Sequence, residues 1–322
     1  MQIIFPALVF FGLFLTGCST TFSHDPALWT YNQGSLPKPD IQVKIDGLGP
    51  CTDNPDRTLH LNSKSPTIVL THGCFASSGR FRALAEVFAF HGQQTACFTY
   101  DDRDSMMKSS SQLVDGIKKL NQSMKNNNIT IIGHSQGGLI SRKALTRERK
   151  NSLSDENINL RLATISAPLN GIHSASDCGS TLWRIMSLGL IVPICYSVSG
   201  DKWYEITKYS DFIQKPGELV PQVNEYLKIV TDENNTCRTK NAEGVCIEDD
   251  YVFSVEEQYF KAVDQDKRLV NVELNAGHVE IVGDHRIAPR KLINILQSKG
   301  YMKKTKATRK GDFEKLLSFL YK

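Results

Sequence analysis

The sequence contains no Cys-x-x-Cys pair and no His-Glu-x-x-His run, so the common spacings of a thioredoxin-like redox pair and of a zinc site are both missing. No metal and no cofactor is therefore expected. There is also no excess of charge: 22% charged residues against 40% hydrophobic ones give enough apolar material to close a large core, and this is not the composition of a disordered chain. No internal repeat is visible, and no motif for nucleic-acid binding occurs. At 322 residues the chain is long enough for two average domains, but α/β enzymes often use such a length as one domain with an insertion, which is the expectation here.

The N-terminus lacks Lys and Arg and consists of an uncharged apolar run, Ile3 to Leu15, too short to span a bilayer comfortably and suited to a secretory h-region. It ends at Leu15-Thr16-Gly17-Cys18. That tetrad resembles the bacterial lipobox, which implies cleavage before Cys18 and acylation of that cysteine. Ser19 resembles the context that sorts lipoproteins to the outer membrane rather than the inner one. Residues 1–17 are thus expected to be a signal peptide, and 18–50 a lipid-anchored linker. Export into an oxidising envelope agrees with seven further cysteines, one of which must stay unpaired in a monomer. Short separations suggest Cys178 with Cys195 and Cys237 with Cys246; Cys51 with Cys97 would leave Cys74 free.

Along the body, short β-branched runs alternate with helical patterns, the signature of βαβ units and a mostly parallel sheet. Strands are expected at Pro66–Leu70, Thr95–Tyr100, Ile129–Ile132, Leu162–Ser166 and Leu269–Leu274. Phe81, Leu84, Ala85 and Phe88 mark one helix; Leu113, Ile117, Leu120 and Met124 mark a second, stopped by Asn126, Asn127 and Asn128. The third strand runs directly into Gly133-His134-Ser135-Gln136-Gly137, a G-x-S-x-G pattern. In such a turn from strand to helix, glycines on both sides avoid collisions and the serine hydroxyl stands clear of the sheet. Ser135 is the candidate nucleophile. His72-Gly73-Cys74 follows the first strand, where the backbone N–H of Cys74, together with that of Gln136, would bind a developing oxyanion.

His72-Gly73, Gly133 to Gly138 and Ile165-Ser166-Ala167-Pro168 together resemble bacterial triacylglycerol lipases and esterases of the α/β-hydrolase superfamily. The resemblance covers about residues 66 to 296. Where those enzymes often carry Thr-Pro-His-x-Gly, this chain has Ala167-Pro168-Leu169-Asn170-Gly171. The resemblance implies an acid and then a histidine after the serine. His278, following the last strand and Asn275-Ala276-Gly277, fits best; His285 is the alternative. The run Glu248 to Glu256 looks like the family's Asp-Gly-Val-Val-Pro-Val-Glu, which selects Asp250 as the acid, with Asp249 one residue out of register. The implied activity is carboxylic-ester hydrolysis through an acyl-enzyme. Acyl transfer, thioester hydrolysis on the same triad, and an inactive binding module remain open.

The hydrolase domain is expected over 51–298, with a lid or cap insertion at about 172–221 built around the apolar run 182–194. Residues 299–322 carry eight Lys or Arg against two acids, +6 locally in a chain of net +4. Phe313, Leu316, Leu317 and Leu320 fall at helical spacing there, so the tail is read as a basic amphipathic helix for a membrane surface or, equally, as a helix packed on the body.

Overall fold

A computed structural model describes residues 35–74, 76–173 and 200–322, apart from the side chain of Trp203. Its centre is a seven-stranded sheet in the order β11-β8-β7-β6-β4-β5-β2. The strands are β2 (Leu48–Gly49), β4 (Thr67–Thr71), β5 (Gln94–Phe98), β6 (Asn128–His134), β7 (Asn159–Ile165), β8 (Val223–Asp232) and β11 (Leu269–Asn275). All neighbours pair in parallel except β2, which runs antiparallel to β5 at one edge. Two small ribbons lie outside the sheet: β1 (Ile41–Val43) with β3 (Leu59–Leu61), and β9 (Cys237–Lys240) with β10 (Cys246–Asp249).

Every residue of β4 is buried, as a strand covered on both faces of a parallel sheet requires. Side chains alternate between two cores. Val69, Ile131, Leu162 and Tyr226 face α2 (Met106–Ser123) and α3 (Gln136–Ala144), which bury Leu113, Val114, Ile117 and Ile140 against them. Leu70, Ile132, Ala163 and Leu227 face α1 (Arg82–Phe90), α7 (Arg290–Ser298) and α8 (Lys310–Leu320). Short helices α4 (Asp211–Gln214), α5 (Val255–Gln258) and α6 (Lys261–Asp264) fill the connections around β8. Ser105 caps α2, its side chain accepting from Lys108 N–H. The expected α/β class, with a mostly parallel sheet between helical layers, is what the structure has.

Two boundaries move. Residues 41–50 are not linker, because β1 and β2 form there and Leu48 is part of the core. The C-terminal stretch is part of the body too: α8 turns Phe313, Leu316 and Leu317 into the second core, so its apolar stripe is used up internally. Disulfides join Cys51 to Cys97 and Cys237 to Cys246, and Cys74 is a free thiol. Cys18, the proposed signal peptide, the Cys178 to Cys195 pairing and the apolar run 182–194 lie outside the described residues.

Candidate active site

The residues gathered at one end of the sheet all follow the C-terminal ends of parallel strands. β6 ends at His134, and Ser135 sits in the turn before α3 with φ +55° and ψ −127°, a left-handed backbone that a non-glycine residue adopts only under constraint. The constraint comes from the packing of the turn. A Cβ on Gly137 would lie 2.3 Å from the carbonyl oxygens of Thr71 and His72, so α3 approaches β4 as closely as backbone permits. A Cβ on Gly73 would lie 2.9 Å from Ser135 Cβ and 3.4 Å from its Oγ, which puts the loop after β4 directly against the serine. Among the described residues, no backbone carbonyl takes the N–H of Cys74 or of Gln136.

The loop after β4 is held from behind. His72 is buried, stacked on Tyr100 at 4.3 Å, and the Tyr100 hydroxyl donates to the His72 carbonyl at 2.7 Å. Burial pushes the His72 imidazole below its ordinary pKa, which keeps it neutral. Lys202, also buried, ties this loop to the serine turn: its ammonium donates to Gln136 Oε1 at 2.6 Å, to the Asp102 carbonyl, and lies 2.9 Å from Cys74 Sγ. Burial raises the Cys74 thiol above its ordinary pKa despite that ammonium, so Cys74 stays a thiol.

His278 follows β11 and the turn at Gly277. Its Nδ1 lies 2.8 Å from Glu233 Oε1 and 2.9 Å from Ser166 Oγ. A carboxylate opposite Nδ1 requires the proton there and leaves Nε2 as the basic nitrogen. The ring is fixed by Phe253, edge-on at 4.9 Å, and by His134 at 4.7 Å. His134 Nε2 also donates to the His278 carbonyl at 2.9 Å, which fastens the histidine loop to the residue preceding Ser135. Burial first, then the neighbouring His278 and Arg80, push His134 well below its ordinary pKa.

Glu233, immediately after β8, is the carboxylate on the imidazole. Asp250, selected from the sequence, is not. Oε1 of Glu233 accepts from His278, from Ser166 Oγ at 2.7 Å and from Thr231 Oγ1 at 3.0 Å, while Oε2 accepts the N–H groups of Val252 and Phe253 at 2.6 and 2.9 Å. Burial raises this carboxyl, but the His278 bond and charge and the two amides outweigh it and leave the group below its ordinary pKa. Asp250 is buried nearby, yet its carboxylate takes the N–H groups of Val279 and Glu280 at 3.1 and 2.8 Å and pairs with Arg238 at 3.0 Å. Its carbonyl accepts from His278 N–H at 2.9 Å. Asp250 therefore shapes the histidine loop without touching the ring. Asp249 lies exposed in the β9–β10 ribbon beside Cys246, and His285 is exposed; the carboxylate on His278 is that of Glu233.

Residues 67–273 match the family model described as palmitoyl protein thioesterase. The chain belongs to the palmitoyl protein thioesterase family. No match appears among curated proteins. Of solved structures, the mature form of the Bacillus licheniformis lipase BlEst2 aligns at 15% identity with TM-score 0.50, over 82% of this chain and 99% of that one. Its propeptide form aligns at 15% identity with TM-score 0.52, over 82% of this chain and 54% of that one. These likenesses support the α/β-hydrolase fold and extend no further.

In this thioesterase-family chain, sequence reasoning located Ser135, His278 and the loop at Cys74 at one end of the sheet. It missed Glu233, Ser166 and Lys202. A usable signal for Glu233 was present: Tyr226-Leu-Lys-Ile-Val-Thr231 is a β-rich run ending in Asp232-Glu233. Lys228 interrupts its apolar pattern, although in the fold that lysine is buried, ion-paired with Asp264 and set over the Tyr259 ring at 3.8 Å.

Proposed function

We propose that this protein is a serine hydrolase that cleaves acyl esters and thioesters through an acyl-enzyme, with Ser135 as nucleophile, His278 as general base and Glu233 as the acid that orients it. The observation that carries the reading is the 2.8 Å bond from His278 Nδ1 to a buried, five-fold satisfied Glu233 beside the strained Ser135 turn. His278 Nε2 takes the proton from Ser135 Oγ as that oxygen attacks the acyl carbonyl. The N–H groups of Cys74 and Gln136 receive the oxyanion, and His278 then returns the proton to the departing alcohol or thiol. Water repeats the cycle on the acyl-serine and regenerates the enzyme. Glu233 holds the Nδ1–H tautomer and stabilises the imidazolium formed in each half.

The family description supports long-chain thioesters as substrates, and an oxyester of the same chain is the natural comparison. The test is hydrolysis of a palmitoyl thioester and a palmitoyl oxyester, with a Ser135→Ala control. Serine-dependent turnover of either substrate supports the mechanism, and the ratio of kcat/KM between them assigns the linkage. Turnover that survives the substitution contradicts it. The Leu15 to Cys18 tetrad supports an exported, lipid-anchored form, which a Cys18→Ala variant that no longer incorporates labelled fatty acid would test.

A further inference from the structure

The sheet has two ends, and the chain's largest local excess of positive charge sits at the end opposite Ser135. Arg161, near the start of β7, stacks on Tyr301 at 3.9 Å and donates to the Gly300 carbonyl at 2.8 Å, while the Tyr301 hydroxyl donates to the Leu162 carbonyl at 2.9 Å. Lys303 N–H donates to the side chain of Gln93, just ahead of β5, at 2.7 Å, and Arg309 donates to the Phe90 carbonyl at 3.0 Å. These contacts fix residues 299–310 under the N-terminal ends of the strands. Lys299, Lys303, Lys304, Lys306 and Lys310 are all exposed, and among the described residues none has a carboxylate within ion-pairing distance. Of the two acids in 299–322, Glu314 is already paired with Arg290 at 2.6 Å, and Asp312, exposed in the first turn of α8, forms no ion pair with these lysines among the described residues.

The start of the described chain lies at the same place. The Ser35 carbonyl is 2.9 Å from where a Cβ on Gly92 would stand, and Lys303 Nζ donates to the Gly92 carbonyl at 3.4 Å. A chain tethered through Cys18 would thus join the body beside these lysines.

We propose that Lys299, Lys303, Lys304, Lys306 and Lys310 dock the protein on an anionic phospholipid surface, with the Ser135 end of the sheet turned away from it. Because α8 spends Phe313, Leu316 and Leu317 on the core, the attachment is electrostatic and falls with salt. Acyl groups then reach Ser135 from the side away from the bilayer, carried by a soluble or protein-bound partner and not by the lipids of the docking leaflet. The orientation rests on the assignment of Ser135 above; the docking does not.

The test is co-sedimentation of the full chain with vesicles of phosphatidylcholine alone and of phosphatidylcholine with phosphatidylglycerol. It is run beside a variant carrying Lys303→Gln, Lys304→Gln, Lys306→Gln and Lys310→Gln, with melting curves to confirm that the variant is folded. Each lysine near an anionic surface is worth roughly a fivefold change in partitioning, so the four substitutions together should make the variant bind the anionic vesicles about 600-fold less well, and the native chain should dissociate as salt rises. Any contribution from the N-terminal apolar run is common to both proteins and cancels. Equal partitioning of the two, or binding indifferent to lipid charge, overturns the docking. On vesicles a fluorophosphonate probe should label Ser135 as fast as in solution, and labelling slowed by about tenfold or more overturns the orientation. If Ser135 is unreactive in solution as well, the mechanism fails while the sedimentation result stands on its own.

Discussion

Replacing Glu233 by Gln keeps the size of the side chain and removes its charge. In the native site five donors converge on the two carboxylate oxygens: His278 Nδ1, Ser166 Oγ, Thr231 Oγ1 and the N–H groups of Val252 and Phe253. An amide accepts at only one end. Its NH2 must face either the two backbone amides or the imidazole, so at least one buried donor loses its partner, at about 1–3 kcal/mol of stability. The larger effect is catalytic. Without a carboxylate on Nδ1 the imidazole no longer holds its tautomer or has its positive charge balanced, a loss of about 10⁴ in kcat, or about 5.5 kcal/mol of transition-state stabilisation. Asp250→Asn is the matched control. It weakens the bonds to Val279 and Glu280 and the pair with Arg238, lowering stability by about 2–3 kcal/mol and kcat by less than about tenfold. Steady-state turnover of a palmitoyl thioester with melting curves of both variants reads the two effects separately. A Glu233→Gln enzyme within tenfold of native, beside an Asp250→Asn enzyme that has lost about 10⁴, would refute the assignment.

Ser166→Ala removes a hydroxyl that bonds both Glu233 and His278, and kcat is expected to fall by about 5- to 50-fold with KM unchanged; a change in KM alone would contradict this role. A Cβ on Gly277 would lie 2.2 Å from Asp250 Oδ2 and 2.6 Å from its Cβ, so Gly277→Ala should displace the histidine loop and reduce kcat more than Tm, as paired kinetic and melting measurements would show. His134 and His72 have imidazoles whose pKa values fall on folding, so the unfolded chain takes up protons first. Stability is complete above about pH 6.5 and is lost as pH falls below it. Melting curves between pH 8 and pH 5 should show that loss, and His134→Gln should flatten it. Loss of the Cys51–Cys97 disulfide, which closes a separation of 46 residues, should lower stability by about 4 kcal/mol, against about 2.5 kcal/mol for Cys237–Cys246, whose separation is 9; denaturant titration of Cys→Ala pairs decides the order.

Much of the fold was legible because its strong signals are local. Ile129 to Ile132 followed by Gly133 and Gly137 specify a buried strand, a tight turn and a helix within about fifteen residues. The serine, the loop at Cys74 and the histidine each sit just after a strand that periodicity alone reveals. The acid was misplaced for a physical reason. β8 carries Lys228 among its apolar residues, a charge that only tertiary partners make tolerable, and the β9–β10 ribbon inserted behind it moves a more recognisable acidic run away from the strand end. Asp250 then packs close to His278 through backbone bonds, so sequence pattern found the neighbourhood and missed the contact. Lys202 was invisible for another reason: it lies in the connection from β7 to β8, 66 residues from Gln136, and no spacing encodes that contact. The amphipathic spacing of α8 was read correctly, but spacing does not say whether the apolar stripe meets a membrane or the protein's own core, and here it meets the core.

The most direct test of the account is to mix the native enzyme and the Ser135→Ala variant with a palmitoyl thioester, quench early, and locate any covalent acyl group by peptide mass. The account predicts a palmitoyl group on the peptide containing Ser135 in the native enzyme, none in the variant, and turnover reduced by about 10⁶ in the variant. Undiminished turnover in the Ser135→Ala protein, or an acyl group found on another residue, would contradict it.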